Sequence, residues 1–147
     1  MKTMQNKQII GFISIFLFTF MCVADIYGQS YKRSQLTEKE WVLRIPGKTY
    51  YATYFFTDRE HVSKSFINDG VKTDLNTKYL YYLSDEIEKT FQLDSVGKSK
   101  KGKYIVSLSN PDIEKANVEH HEILELTKTT LKTRHVRSGT ILEYKVE

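Results

Sequence analysis

The stretch "HHEILELTKTTLKTRHV" (residues 120–136) admits two readings, and the choice between them decides the fold. As a helix over 119–134 it carries a partial apolar stripe of Ile123, Leu124, Leu126 and Leu131. Its centre, "TKTT" (127–130), is three-quarters β-branched, and such side chains lose rotamer freedom in a helix. As two strands about a turn, the same residues show period two on both sides. Leu124 and Leu126 then share one face of the first strand. Leu131, Thr133 and His135 share one face of the second, with Lys132 and Arg134 opposite. The sequence therefore reads as a β-hairpin here.

Outward from this hairpin the period of two persists. "RSGT" (137–140) makes a turn into "ILEYKV" (141–146), where Leu142, Tyr144 and Val146 alternate with Glu143 and Lys145. Upstream, "WVLRI" (41–45) stops at Pro46-Gly47, and "YYATYFFT" (50–57) with "HVSKSFI" (61–67) reads as a hairpin. Asn68-Asp69-Gly70 is the clearest turn signal, because Asp-Gly tolerates positive φ at little steric cost. "KYLYYLS" (78–84) sets Tyr79, Tyr81 and Leu83 against Leu80 and Tyr82, apolar on both faces as a central strand would be. "FQLDSV" (91–96) alternates and reads as a strand, "GKSKKGK" (97–103) as a solvated hairpin tip, and "YIVSL" (104–108) as the next strand. Residues 109–119 form the longest irregular connection. Short strands at regular spacing with hairpin-length links predict an all-β protein, a small antiparallel up-and-down β-barrel of about eight strands, with a two-sheet sandwich as the near alternative.

Composition bounds the rest. A chain of 147 residues, 40% hydrophobic and 27% charged, builds one globular domain, and 13% aromatic residues favour pleated, half-buried surfaces. At the amino end Lys2 and Lys7 precede the apolar run 9–24, which is short for a membrane span of about 20 residues and ends in "DIYGQS". This is a signal-peptide layout with cleavage expected before Gln29. The expected organisation is a leader at 1–28, a polar lead at 29–35 and a barrel at 36–147. Cys22 is the only cysteine and lies inside the leader. Met21 stands where a lipoprotein signal has a small residue, so a lipid anchor at Cys22 is not favoured. Without that cysteine the mature chain has no disulfide or thiolate and stands on its core alone. The expected location is outside the cytoplasm, in the periplasm or on the surface of a Gram-negative bacterium. Membrane contact would come only through an uncleaved leader or a lipid anchor.

The tryptophan in "LTEKEWVL" (36–43), the aromatic "YYATYFFT", the Tyr-rich "KYLYYLS" and above all "EILELTKTTLKTRH" (122–135) with a terminal "ILEYKV" resemble the small secreted lipocalin-like domains of the Bacteroidetes, over about residues 36–146. The resemblance implies that Trp41 closes the barrel bottom with Arg134 as the basic partner packed across it. It departs from the family's Gly-x-Trp at Lys39, which stands in the glycine's place.

For chemistry, the chain carries no Gly-x-Ser-x-Gly elbow, no phosphate-cradling glycine loop and no His-Glu-x-x-His helix, and no enzymatic activity is expected. "EHHE" (119–122) with His135 has the composition of a zinc site, but neighbours on a strand point to opposite faces. A solvated strand entrance is the expectation, with no metal and no cofactor. His61 reads as an exposed histidine titrating near neutrality. The basic stretch lacks the clustered cations and stacking aromatics of a nucleic-acid surface, so no nucleic-acid partner is expected. The aromatic residues either line a cavity or fill a solid core, since an eight-stranded barrel is at the size where both occur. The leading expectation is a non-enzymatic protein holding a small hydrophobic ligand in the barrel mouth, lined by Trp41, Tyr54, Phe56, Tyr79, Tyr81, Tyr104 and Leu124. The alternative is an interaction module with a filled core that meets a protein or envelope partner through its loops.

Overall fold

The computed structural model describes residues 29–108 and 117–147. The expected leader, its cleavage point and Cys22 lie outside the described residues, as does most of the expected connection at 109–119. Among the described residues ten strands are present: β1 (Tyr31–Lys32), β2 (Glu40–Arg44), β3 (Tyr50–Phe56), β4 (Glu60–Asn68), β5 (Val71–Ser84), β6 (Lys101–Gly102), β7 (Tyr104–Leu108), β8 (Val118–Leu126), β9 (Thr130–His135) and β10 (Ile141–Lys145). Eight of them form a closed antiparallel ring in the order β2-β3-β4-β5-β7-β8-β9-β10, and β10 returns to β2 with Tyr144 opposite Leu43 and Lys145 opposite Val42. The protein is an all-β barrel, and the quoted stretch is a hairpin of it. Between β8 and β9 the Thr127 hydroxyl accepts the Thr130 N–H at 3.0 Å, a local bond that favours a turn over a helix.

Several segments differ from the sequence expectation for physical reasons. Asp69 and Gly70 both adopt positive φ (49° and 79°), setting Val71 opposite Asn68, so that β5 begins at once and runs 14 residues, starting well before the expected 78–84 and ending with it at Ser84. "FQLDSV" is not a strand. Its Leu93–Ser95 form a 3-10 turn, and Phe91 and Val96 lie over the outer face of the barrel against Tyr82, Val106 and Tyr104. The apolar outer face of β5 is thereby covered by its own connection to β7, and Tyr82 Oη accepts the Gln92 N–H at 3.1 Å. "GKSKKGK" is not a free hairpin tip either, because Lys101 and Gly102 pair with Lys32 and Tyr31.

That pairing draws residues 29–35 onto the barrel. Tyr31 is buried in the core and donates its hydroxyl to the Leu124 carbonyl at 3.2 Å. Arg33 donates to the Ser99 carbonyl at 2.8 Å and pairs with Asp58 at 3.2 Å. Leu36 follows, completely buried beside Trp41, whose Nε1–H donates to the Leu36 carbonyl at 2.9 Å. With Leu83, Ile105, Ile123, Leu126 and Leu131 these residues fill and seal one end of the ring.

Trp41 therefore closes the barrel, but Arg134 does not pack across it. Alternation from Leu131 puts Arg134 on the outside, where it is half-exposed and forks onto Glu122, directly opposite on β8, with Nε–Oε2 at 3.1 Å. The cation at the tryptophan is Lys39, with its ammonium 5.4 Å from the ring centroid and donating to the Gln35 carbonyl at 2.9 Å.

Gly102 tests this packing most sharply. A Cβ there would lie 2.4 Å from Ser84 N and 2.7 Å from Ser84 O, inside rigid strand backbone. Gly102→Ala is expected to destabilise the protein by about 2 kcal/mol or more, measured by urea unfolding, through displacement of β6 and the β1 arm from β5.

Candidate functional site: the hollow half of the barrel

The sealed end lies at the starts of β2 and β9 and the end of β8. The opposite end is framed by Leu108, Glu119, Thr133 and Leu142, and there the interior is not filled. A cavity of about 240 Å³ remains, bounded on its aromatic side by Tyr54, Phe56, His61, Tyr79 and Tyr144 and on its polar side by His121, Ser107 and Thr133.

The aromatic wall is built by register. Phe56 pairs with His61 and His61 with Tyr79 across β3, β4 and β5, which places the three rings in one inward row. Phe56 and His61 stack at 4.6 Å between centroids and 8° between planes. Phe56 also meets Tyr81 edge-on at 5.3 Å, and Tyr54 meets Tyr144 edge-on at 5.5 Å. The hairpin loop sets this register: Thr57 Oγ1 accepts the Glu60 N–H at 2.9 Å, and Thr57 N–H donates to the Glu60 carbonyl at 2.8 Å.

The opposite wall comes from β8 and β9. His121 pairs with His135 and Ile123 with Thr133, and His121, Ile123 and Thr133 face inward. Leu124 is then skipped by a β-bulge between Ile123 and Glu125, and Leu126 resumes the inward face opposite Leu131. His120 falls on the outer face, apart from His121. His135 bonds through Nε2 to the Glu119 carboxylate. Its Nδ1 accepts the Ser138 N–H at 3.2 Å and lies 2.8 Å from the Ser138 hydroxyl. This hydroxyl–imidazole–carboxylate string has the composition of a nucleophile relay, but the Nδ1 lone pair is already engaged by backbone, and the Ser138 hydroxyl donates to Thr140 at 2.8 Å. The string ties the β9–β10 turn to β8. Among the described residues no three His, Cys, Asp or Glu side chains gather as a metal site.

The seven residues expected to line a cavity divide into three groups. Tyr54, Phe56 and Tyr79 line it. Trp41 and Tyr81 are inside the barrel but fully buried beneath it; Tyr81 donates its hydroxyl to the Thr57 carbonyl at 2.7 Å and belongs to the packed floor. Tyr104 and Leu124 face outward. Tyr104 lies opposite Ser84 and Glu122 on the outer row while Ile105 and Ser107 take the interior, and Leu124 is turned out by the bulge. The expected exposed His61 and solvated 119–122 entrance are likewise corrected: His61, Glu119 and His121 line the cavity. A four-residue link between Phe56 and His61 was the available signal for His61, since it sets the two residues opposite each other. For Glu119 and His121 the signal was their parity with Ile123 rather than with Leu124.

Burial is the main cause of the histidines' electrostatics. It depresses His61 to about 4, with the neighbouring His121 adding to the effect, and it depresses His121 to about 4, with His135 opposing protonation and Glu119 favouring it. Burial also raises the Tyr54 and Tyr144 hydroxyls above their ordinary range. At neutral pH the cavity thus holds neutral imidazoles and neutral phenols. Nε2 of His61 and Oγ1 of Thr133 are both out of contact with solvent and have no hydrogen-bond partner.

This fold and cavity define a class: a closed eight-stranded antiparallel barrel, packed solid at one end and hollow at the other. The chain matches no protein-family model, no curated protein and no solved structure.

Two outcomes follow from the packing. Tyr81→Ala is expected to cost about 3 to 5 kcal/mol of stability in urea unfolding, as a floor residue rather than a ligand contact. The depressed histidines make the folded state bind fewer protons than the unfolded chain between the ordinary value of 6.5 and about 4. Stability is therefore full above that window and falls as pH drops through it, by up to about 1.4 kcal/mol per pH unit for each histidine. In thermal melts from pH 7 to 4, His61→Phe should flatten this acid slope; an unchanged slope would contradict the burial of the ring.

Proposed function

We propose that this protein is a secreted, non-enzymatic, lipocalin-like binding protein that holds a small, predominantly apolar molecule in the mouth half of its barrel. The observation that carries this reading is the cavity of about 240 Å³, walled by Tyr54, Phe56 and Tyr79 and floored by a packed core. A pocket needs an apolar wall for affinity and a few placed polar groups for orientation, and the rings with His61, Ser107 and Thr133 supply both. An engineered cavity of about 150 Å³ accepts benzene, so this one has room for a second fused ring. The resemblance of the sequence at Trp41, 50–57, 78–84 and 122–146 to secreted lipocalin-like domains and the leader-like amino end support an exported carrier or scavenger. A filled barrel acting only through its surface has less support, since the interior is packed at one end only.

The test is a titration of ¹⁵N-labelled residues 29–147 with indole and with naphthalene. Saturable shifts are expected at the amides of Tyr54, His61, Ser107 and Thr133. The double variant Ser107→Phe with Leu142→Trp, which fills the hollow from two walls, should lose them while keeping its β-sheet circular dichroism spectrum. Shifts confined to the outer strands, or none with either compound, would overturn the reading.

A further inference from the structure

Two polar atoms in the cavity wall have no partner among the described residues. His61 Nε2 and Thr133 Oγ1 are buried and unbonded, and both residues belong to the lining of the hollow. A buried polar atom without a hydrogen bond is costly, and the cost is recovered when a ligand supplies the missing group. They sit on opposite walls, on β4 and on β9, so a molecule occupying the hollow passes between them. The wall carries no Lys or Arg among its described residues, and its one ionised group of fixed sign, Glu119, is negative. An anionic head group would enter without a counter-charge and lose its hydration. The stacked and edge-on rings of Phe56, His61, Tyr54 and Tyr144 leave aromatic faces and edges bordering the volume, which suit a flat partner.

Resting on the small-molecule reading above, we infer that the ligand is an uncharged, planar mono- or bicyclic aromatic bearing a hydroxyl or ring N–H, held between His61 and Thr133, and not a fatty acid or another carboxylate. A hydroxyl both donates and accepts, so it satisfies Nε2 in either imidazole tautomer, while the Thr133 hydroxyl meets the ligand from the opposite wall. The ligand packs its rings against Phe56 and Tyr79 and turns its polar group toward His61 Nε2 in the plane of the imidazole. Glu119 at the rim repels acids.

Three compounds on one skeleton separate the terms: naphthalene, 2-naphthol and 2-naphthoate, titrated calorimetrically at pH 7 into wild type, His61→Phe and Thr133→Val. The expected order is naphthol, then naphthalene, then naphthoate, with naphthol at least about tenfold tighter than naphthalene. His61→Phe keeps a ring against Phe56 and should bring naphthol down to the level of naphthalene, leaving naphthalene nearly unchanged. Thr133→Val should narrow the gap in part. Naphthalene binding as tightly as naphthol, naphthoate binding tightest, or a gap that survives both substitutions would overturn the inference and leave the small-molecule reading standing. No binding of any of the three would overturn that reading, and the inference with it.

Discussion

The hydrogen bond from Trp41 Nε1 to the Leu36 carbonyl joins the first barrel strand to the segment crossing beneath it. An eight-stranded ring encloses a space that its own side chains only just fill, and bulk placed at one end is unavailable at the other. Trp41, Leu36, Tyr81, Leu83 and Leu131 concentrate that bulk at the sealed end. What remains for the mouth is smaller or polar on one side, Ser107 and Thr133, and aromatic on the other, and a hollow results. The cavity is thus the complement of the plug, and the stability of a chain without disulfide bonds among its described residues resides in the packed half.

The plug also explains the roles of segments that carry little apolar pattern. Residues 29–35 contain one large aromatic, Tyr31, yet that ring reaches the Leu124 carbonyl exposed by the β8 bulge. Gly102 permits the approach because its backbone lies against Ser84 with no room for a side chain. Lys39 covers the tryptophan face with an ammonium. A cation does cover the tryptophan, but it comes from the preceding loop rather than from the β9 arginine.

Where alternation, turn chemistry and pairing agreed, the fold was legible from residues alone. Asp69-Gly70, the Thr-rich turn at 127–130 and the two-residue period of β3, β9 and β10 all report the observed elements. "FQLDSV" misled because its Phe91 and Val96 are spaced to cover an outer surface, and the same spacing would serve a strand. Leu124 and Tyr104 misled because parity is a relative quantity: one bulge inverts it, and a strand with apolar residues on both faces does not declare which face is inside. The candidate site was half legible for the same reason. The aromatic residues announce themselves by type, whereas His61, His121 and Thr133 acquire meaning only from what lies opposite them across the sheet.

The order of strands in the ring bears on how the molecule assembles. Each neighbour pair except one joins strands that follow each other along the barrel, so most of the sheet can grow by local hairpins on the microsecond scale. The exception is β10 on β2, where Arg44 and Glu147 clasp ends of the chain about a hundred residues apart and only two register pairs are made. Loop-closure entropy falls on that one seam, and the reward for it is short. The seam is accordingly the natural last step of folding and the first place for the ring to part, and its parting would unroll the wall that carries Tyr54 from the one that carries Tyr144.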